Sequence, residues 1–153
     1  MKRNITLFVL AVLGIVAMTG CSKTGPTPGS TPNMKASIGA MPYIAPYCLA
    51  VQNGSQILIE GLGGTTTVPT YPYMALTILK WTGKPAIYVN DSTGTNFVGQ
   101  YFSSTTSYEL ANIGSVIITS ITADQINGAF SFTCYDGVVV SGGTFAARIK
   151  PQP

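Results

Sequence analysis

The chain has 153 residues, 8% of them charged and 46% hydrophobic, with 17 Gly, 10 Pro, 3 Cys and no His. Without an imidazole, Ser-His-Asp and Cys-His catalysis, the common zinc sites and a simple pH switch are all excluded. The formal net charge of +3 provides no basic stripe to neutralise phosphates, so nucleic acid is excluded as a partner.

In chain order, the first segment reads as an export signal. Met1-Lys2-Arg3 is a basic start, and Ile5–Ala17 is an apolar run of 13 residues, short of the ~18 that span a bilayer. Met18-Thr19-Gly20-Cys21 resembles a bacterial lipobox, with Met where Leu is usual. It predicts a lipoprotein signal peptide over residues 1–20, cleaved to leave an acylated Cys21. Several acyl chains, at about 0.8 kcal/mol per buried methylene, make such an attachment lasting. The expected address is the bacterial cell envelope, anchored by lipid in the outer membrane on its periplasmic face or at the cell surface. Removing Lys2 and Arg3 leaves six basic and five acidic residues, so the pI near 8.8 overstates the basicity of the mature chain.

Residues 21–33 form the lipidated cysteine and a tether. Ser22–Asn33 is Pro, Gly, Ser and Thr apart from Lys23 and Asn33, with nothing to nucleate a core, a composition expected to stay disordered. Residues 34–150 then read as one domain. Lys35–Ile38 opens it as a short strand, and Met41–Pro46, with two prolines, is barred from the centre of a sheet. Tyr47–Gln52 and Gln56–Leu62 are strands joined at Asn53-Gly54, a hairpin signal. A loop follows over Gly63–Pro72. Met74–Trp81 alternates as a strand, Gly83-Lys84-Pro85 turns the chain, and Ala86–Val89 returns. Asn90–Asn96 reads as a loop, and Phe97–Ser103 and Thr106–Leu110 as strands.

Gly114–Lys150 closes the domain with three strands, Ser115–Ile121, Ile126–Tyr135 and Val138–Ile149. In the middle one Ile126, Gly128, Phe130, Phe132 and Cys134 share a face, the period-2 signature of a strand. Asp136-Gly137 predicts a tight type I′ hairpin. Short strands at close spacing and no amphipathic helix period predict an all-β fold, an antiparallel sandwich or flattened barrel of roughly 8–10 strands. Strands apolar on both sides favour two packed layers. Beyond Cys21, the thiols of Cys48 and Cys134 are a candidate disulfide in an oxidising compartment. Cys134 also reads as a small buried hydrophobe, so the pairing stays open.

Met34-Lys35-Ala36-Ser37-Ile38-Gly39, Leu58-Ile59-Glu60-Gly61, Gly128-Ala129-Phe130-Ser131-Phe132 and Gly142-Gly143-Thr144-Phe145 together are similar to a family of uncharacterised Bacteroidota lipoproteins. Its members share a lipidated start, a short tether and a β-rich domain ending in an "ISGTFSF … NGxF" pattern. Ala129 stands where the pattern has Thr. The resemblance implies an all-β fold and an anchor, and it carries no activity or ligand. Gly128, Gly142 and Gly143 read as sites of bulges or close backbone approach.

The remaining chemistry is sparse. The carboxylates are Glu60, Asp91, Glu109, Asp124 and Asp136; Glu60 alone lies in an apolar strand, and a solvent-facing position there outweighs a catalytic one. No phosphate loop or metal-ligand spacing occurs, so neither cofactor nor metal is expected and the chain reads as non-enzymatic. Asp91-Ser92-Thr93 resembles a Bacteroidota O-glycosylation acceptor, with Ser92 as the attachment point. The aromatics Tyr71, Tyr73, Trp81 and Tyr88 are the candidate binding residues, because rings on a rigid sheet can hold a glycan or anchor a protein partner. The functional expectation is a binding or accessory protein for a protein partner or a glycan. A small apolar-ligand carrier with a barrel cavity is the alternative.

Overall fold

The computed structural model describes residues 30–63, 70–91 and 94–150. Eleven strands run β1 (Asn33–Ile38), β2 (Met41–Ala45), β3 (Tyr47–Asn53), β4 (Gln56–Leu62), β5 (Tyr73–Ile78), β6 (Ala86–Asp91), β7 (Gly94–Thr95), β8 (Phe97–Phe102), β9 (Tyr108–Ile121), β10 (Gln125–Cys134) and β11 (Val139–Ile149). No helix occurs among the described residues, and none is long and apolar enough to cross a membrane. The all-β expectation holds.

The strands make two layers joined at both sides into a flattened barrel. β3, β4, β5 and β8 form the smaller layer, and β2-β1-β11-β10-β9-β6-β7 the larger. The layers meet where β8 pairs with the start of β9 and where the end of β11 pairs with β3. Seven strands therefore close a ring, β3-β4-β5-β8-β9-β10-β11. Up-and-down alternation cannot close an odd ring without one parallel contact. Arg148↔Leu49 and Ile149↔Ala50 on β11 and β3 are that contact, the single departure from the antiparallel expectation.

Closure is continuous because β9 is continuous. The segments Thr106–Leu110 and Ser115–Ile121, read from sequence as two strands, are one 14-residue strand. Its first residues pair with β8 and the remainder with β10 and β6, and a register shift at Thr133/Cys134 lets it bend between layers. Other readings shift similarly. β5 stops at Ile78 rather than Trp81, because Leu79 donates to Asn96 O at 3.0 Å and Trp81 to Ser55 O at 2.8 Å, drawing the chain across the barrel mouth. The Asn90–Asn96 stretch contributes the end of β6 and all of β7. Asn33 belongs to β1, paired with Ala146, rather than to the tether. Pro42 sits on β2, which borders only β1, as its missing donor requires.

The two hairpin signals work through different turns from those expected. Cys134 N–H donates to Val138 O at 2.8 Å and Gly137 N–H to Cys134 O at 3.0 Å. Only Gly137 has positive φ, at 89°. This is a three-residue loop with a bulged glycine, not a type I′ turn, which needs positive φ at both central residues. Asp136 keeps negative φ and caps the loop by accepting from Val138 N–H at 2.9 Å. At the other hairpin Asn53 pairs with Gln56, so the loop is Gly54-Ser55, with Gly54 in the first central position as a type II′ turn demands.

The interior between the layers is filled. Ile57, Ile59, Met74, Leu76, Ile78 and Phe97 from the small layer meet Val116, Ile118, Ile126, Phe130, Val140 and Phe145 from the large one, all buried. The three closing strands interlock aromatic against glycine. Phe145 pairs with Gly128, Phe130 with Gly143 and Phe132 with Gly114. At the first two pairs the ring takes the space that a side chain would need: a Cβ on Gly143 would lie 2.6 Å from the Phe130 ring, and one on Gly128 would overlap the Phe145 ring and Ile117 O. At Gly114 it is instead the backbone and Cβ of Phe132 and the carbonyl of Ser131 that come close. The spaced Gly and Phe of the C-terminal motif are thus a packing device, because a ring laid over a cross-strand glycine restores the contacts that the glycine lacks. On the other side, Tyr43 O–H of the β1–β2 hairpin donates to Gly61 O at 2.7 Å, tying the hairpin to β4.

Candidate functional site

The outward face of the small layer differs from an ordinary solvated sheet. Alternation places three rows of side chains on it. Val51, Leu58, Thr77 and Val98 are paired across four strands. Leu49, Glu60, Ala75, Gln100 and Leu110 form the next row. Tyr47 and Leu62 on β3–β4, then Tyr73, Phe102 and Tyr108 on β5, β8 and β9, make the third. At the usual strand spacing this face covers on the order of 400 Å², the size of the largest patch on a typical monomer. Glu60 carries the only carboxyl in these rows.

The third row is an aromatic ladder. Tyr73 and Phe102 stack with centroids 4.1 Å apart and planes within 8°. Tyr71 extends it at 5.5 Å from Tyr73, and Tyr108 at 5.5 Å from Phe102, both tilted. Tyr73 and Phe102 turn their faces to one another, and Tyr71 and Tyr108 flank them at an angle. Such cross-strand pairs stabilise the layer and its corner with β9. The side chains of Tyr108 in the ladder and of Tyr47 in the same row are about half exposed.

Glu60 sits between this ladder and the aliphatic row. Burial among its neighbours raises its carboxyl above the ordinary carboxylate range. Tyr73 is likewise raised, by burial first and then by Tyr71 and Glu60. A carboxyl that holds its proton more tightly in the folded chain stabilises the fold at low pH, and that contribution disappears as pH rises through its folded value. At neutral pH Glu60 is therefore a cost borne by the fold. Glu60→Gln should raise the melting temperature at pH 7 by about 2–4 °C. Melts at pH 7 and at pH 4 check this, because the gap should close where the wild-type carboxyl is protonated.

The four sequence-predicted aromatics divide. Tyr71 and Tyr73 are neighbours in the ladder. Trp81 and Tyr88 pair with each other instead, centroids 6.3 Å apart, at the opposite mouth of the barrel. Tyr88 points into the core, and Trp81 packs half-buried over the core's end. Tyr88 O–H and Thr82 Oγ1 are 3.3 Å apart. This pair closes the barrel end and is no part of an exposed site. Phe102 and the grouping with Glu60 were missed, since strand order, which local pattern does not contain, brings β4, β5, β8 and β9 side by side.

Cys48 and Cys134 are both free, buried thiols with no bond between them. Burial, with Glu60 second, pushes the Cys48 thiol up; burial, then Asp136 and Glu109, pushes Cys134 up to about 11. Neither is a thiolate nucleophile at neutral pH. Cys21 and Ser92 lie outside the described residues. No group of three or more metal-ligating side chains occurs among the described residues. Comparison of the chain with family models, with curated proteins and with solved structures finds no match in any of the three.

Proposed function

We propose that this is a lipid-anchored, non-catalytic protein of the bacterial cell envelope that docks a protein partner on the outward face of its small layer. The observation that carries the reading is the combination of a largely aliphatic row, an aromatic ladder and, between them, one half-buried, destabilising carboxyl. An apolar face of this size rimmed by tyrosines suits a protein contact. Glu60 adds a chemical preference, for a Lys or Arg presented among aliphatic side chains, whose arrival would compensate the buried charge. A glycan is less well served, because sugars stack on open ring faces and the central rings, Tyr73 and Phe102, stack on each other. The closed sheet is also the architecture of the carrier alternative and is compatible with it; the buried inward side chains of both layers favour docking over it.

The test places a photo-crosslinking residue at Val98 or Leu58, and for comparison at Ser115 on the other layer's outward face, in cells of the native host. The same partner should be captured from Val98 and Leu58, not from Ser115, and Glu60→Gln should weaken the capture. Equal capture from both layers, or none from Val98 and Leu58, would reject the docking face. Mass spectrometry of the mature chain separately tests the anchor, which requires an N-terminal Cys21 bearing acyl chains.

A further inference from the structure

The few charges of this protein are sorted by end. β3, β5, β9 and β11 all finish at one end of the barrel, where β4, β6, β8 and β10 begin. Lys80 and Lys84 lie in the connection from β5 to β6 at that end, Arg148 and Lys150 at the finish of β11, and Lys35 in the first half of β1, which starts there. Asp124, between β9 and β10, is the one acid among them. The other carboxylates fall towards the opposite end. Glu109 opens β9, Asp91 closes β6, Asp136 occupies the β10–β11 turn, and Glu60 lies in the second half of β4. Glu109 and Asp136 are close enough to Cys134 to act on its thiol together. Among the described residues four of the five cations thus cluster at one end, with Lys35 opposite Thr144 at the middle of β11. Glu109 and Asp136 lie at the other end, and Glu60, which like Arg148 pairs with Leu49, lies between.

The chain enters the fold at the basic end. Ser30 O accepts from Gln125 Nε2 at 2.5 Å, at the start of β10. Thr31 and Pro32 then run between two surface grooves, of about 260 and 300 Å³, which both have Arg148 in their walls. Nine residues, Cys21 to Gly29, precede Ser30, and fully extended they reach about 30 Å. If Cys21 is in a leaflet, the end of the barrel nearest the lipid is the basic one.

We infer that the protein stands on the membrane with its Lys80, Lys84, Arg148 and Lys150 end against anionic phospholipid headgroups. The inference rests on the anchor at Cys21 proposed above. Charge complementarity sets the orientation: an anionic surface attracts this pole within a Debye length of about 8–10 Å and repels the Glu109, Asp136 and Asp91 pole. The acyl chains supply retention, and the sorted charges supply direction. The docking face of the small layer is then held side-on, clear of the lipid.

The experiment uses full-length processed protein recovered from host membranes and reconstituted on vesicles of phosphatidylcholine alone or with phosphatidylglycerol. Lysines are acylated and read by mass spectrometry, with Lys35, exposed on the large layer's face, as reference. Labelling of Lys80, Lys84 and Lys150 relative to Lys35 should fall about fivefold on the anionic vesicles, and 0.5 M salt should restore it, at a Debye length of roughly 4 Å. Reversing Lys80 and Lys84 to Glu, both in an exposed connection, should abolish the protection of Lys150. Protein that floats with both vesicles but labels equally on each would overturn the orientation and leave the anchor standing. Protein without acyl mass that fails to float on neutral vesicles would overturn the anchor and this inference with it.

Discussion

Gly128→Ala should lower the melting temperature by about 10–15 °C, corresponding to roughly 3 kcal/mol or more. The methyl would overlap the Phe145 ring and the carbonyl of Ile117. A ring at the end of a side chain can yield; a carbonyl inside the β9–β10 ladder cannot without breaking pairing. Alanine also removes the glycine over which Phe145 lies, so ring and backbone must shift together in a core that both layers share. The mechanism has a signature: Phe145→Leu in the Gly128→Ala background should recover part of the loss, from the ring overlap but not from the carbonyl. Ser131→Ala, three residues along the strand and on its outward face, should change the melt by no more than about 1–2 °C. A Gly128→Ala protein melting within 2 °C of wild type would refute the interlock.

Phe97→Ala should cost about 3–5 kcal/mol, the range for removing a fully buried aromatic. Phe97 is fully buried on β8 opposite Ile78. Its loss leaves a dry, apolar hole inside a ring of strands that cannot collapse freely, because each strand is held on both sides. Such a hole takes up small apolar molecules. Benzene should therefore raise the melting temperature of Phe97→Ala through preferential binding to the folded state and leave the wild type unchanged. A carrier would behave oppositely, with the wild type already stabilised by an apolar ligand. The same pair of melts thus weighs the filled interior against the alternative function.

Much of this fold was legible locally. Gln56–Leu62 reads as a strand and is one, residue for residue, because it is a short aliphatic run flanked by turn residues. The inward set of β10, from Ile126 to Cys134, follows directly from the period of two. The errors occur where a residue type permits two uses. Gly114 invites a break between strands, yet it serves close approach, the backbone of Ser131 and Phe132 lying where its side chain would be. Trp81 continues an alternating run, yet its amide is claimed by Ser55 from another hairpin. Asp136-Gly137 carries a hairpin signal that two loop geometries satisfy, and the bulged form prevails with only the glycine needing positive φ.

The candidate site was less legible for a simple reason. Tyr71 and Tyr73 are adjacent in the chain, but Phe102, Tyr108 and Glu60 reach them only through the order β4-β5-β8-β9. The sequence by itself determined the strand content, the inward faces and the glycine and phenylalanine spacing of the closing strands, all of which are properties of neighbours along the chain. The tertiary structure alone decided that seven strands close with one parallel contact, that the two thiols stay apart, and that a lone carboxyl shares a face with an aromatic ladder. Those depend on pairings between segments tens of residues apart. Pairing is settled by which layers can bury their apolar sides together, a condition that no local window contains.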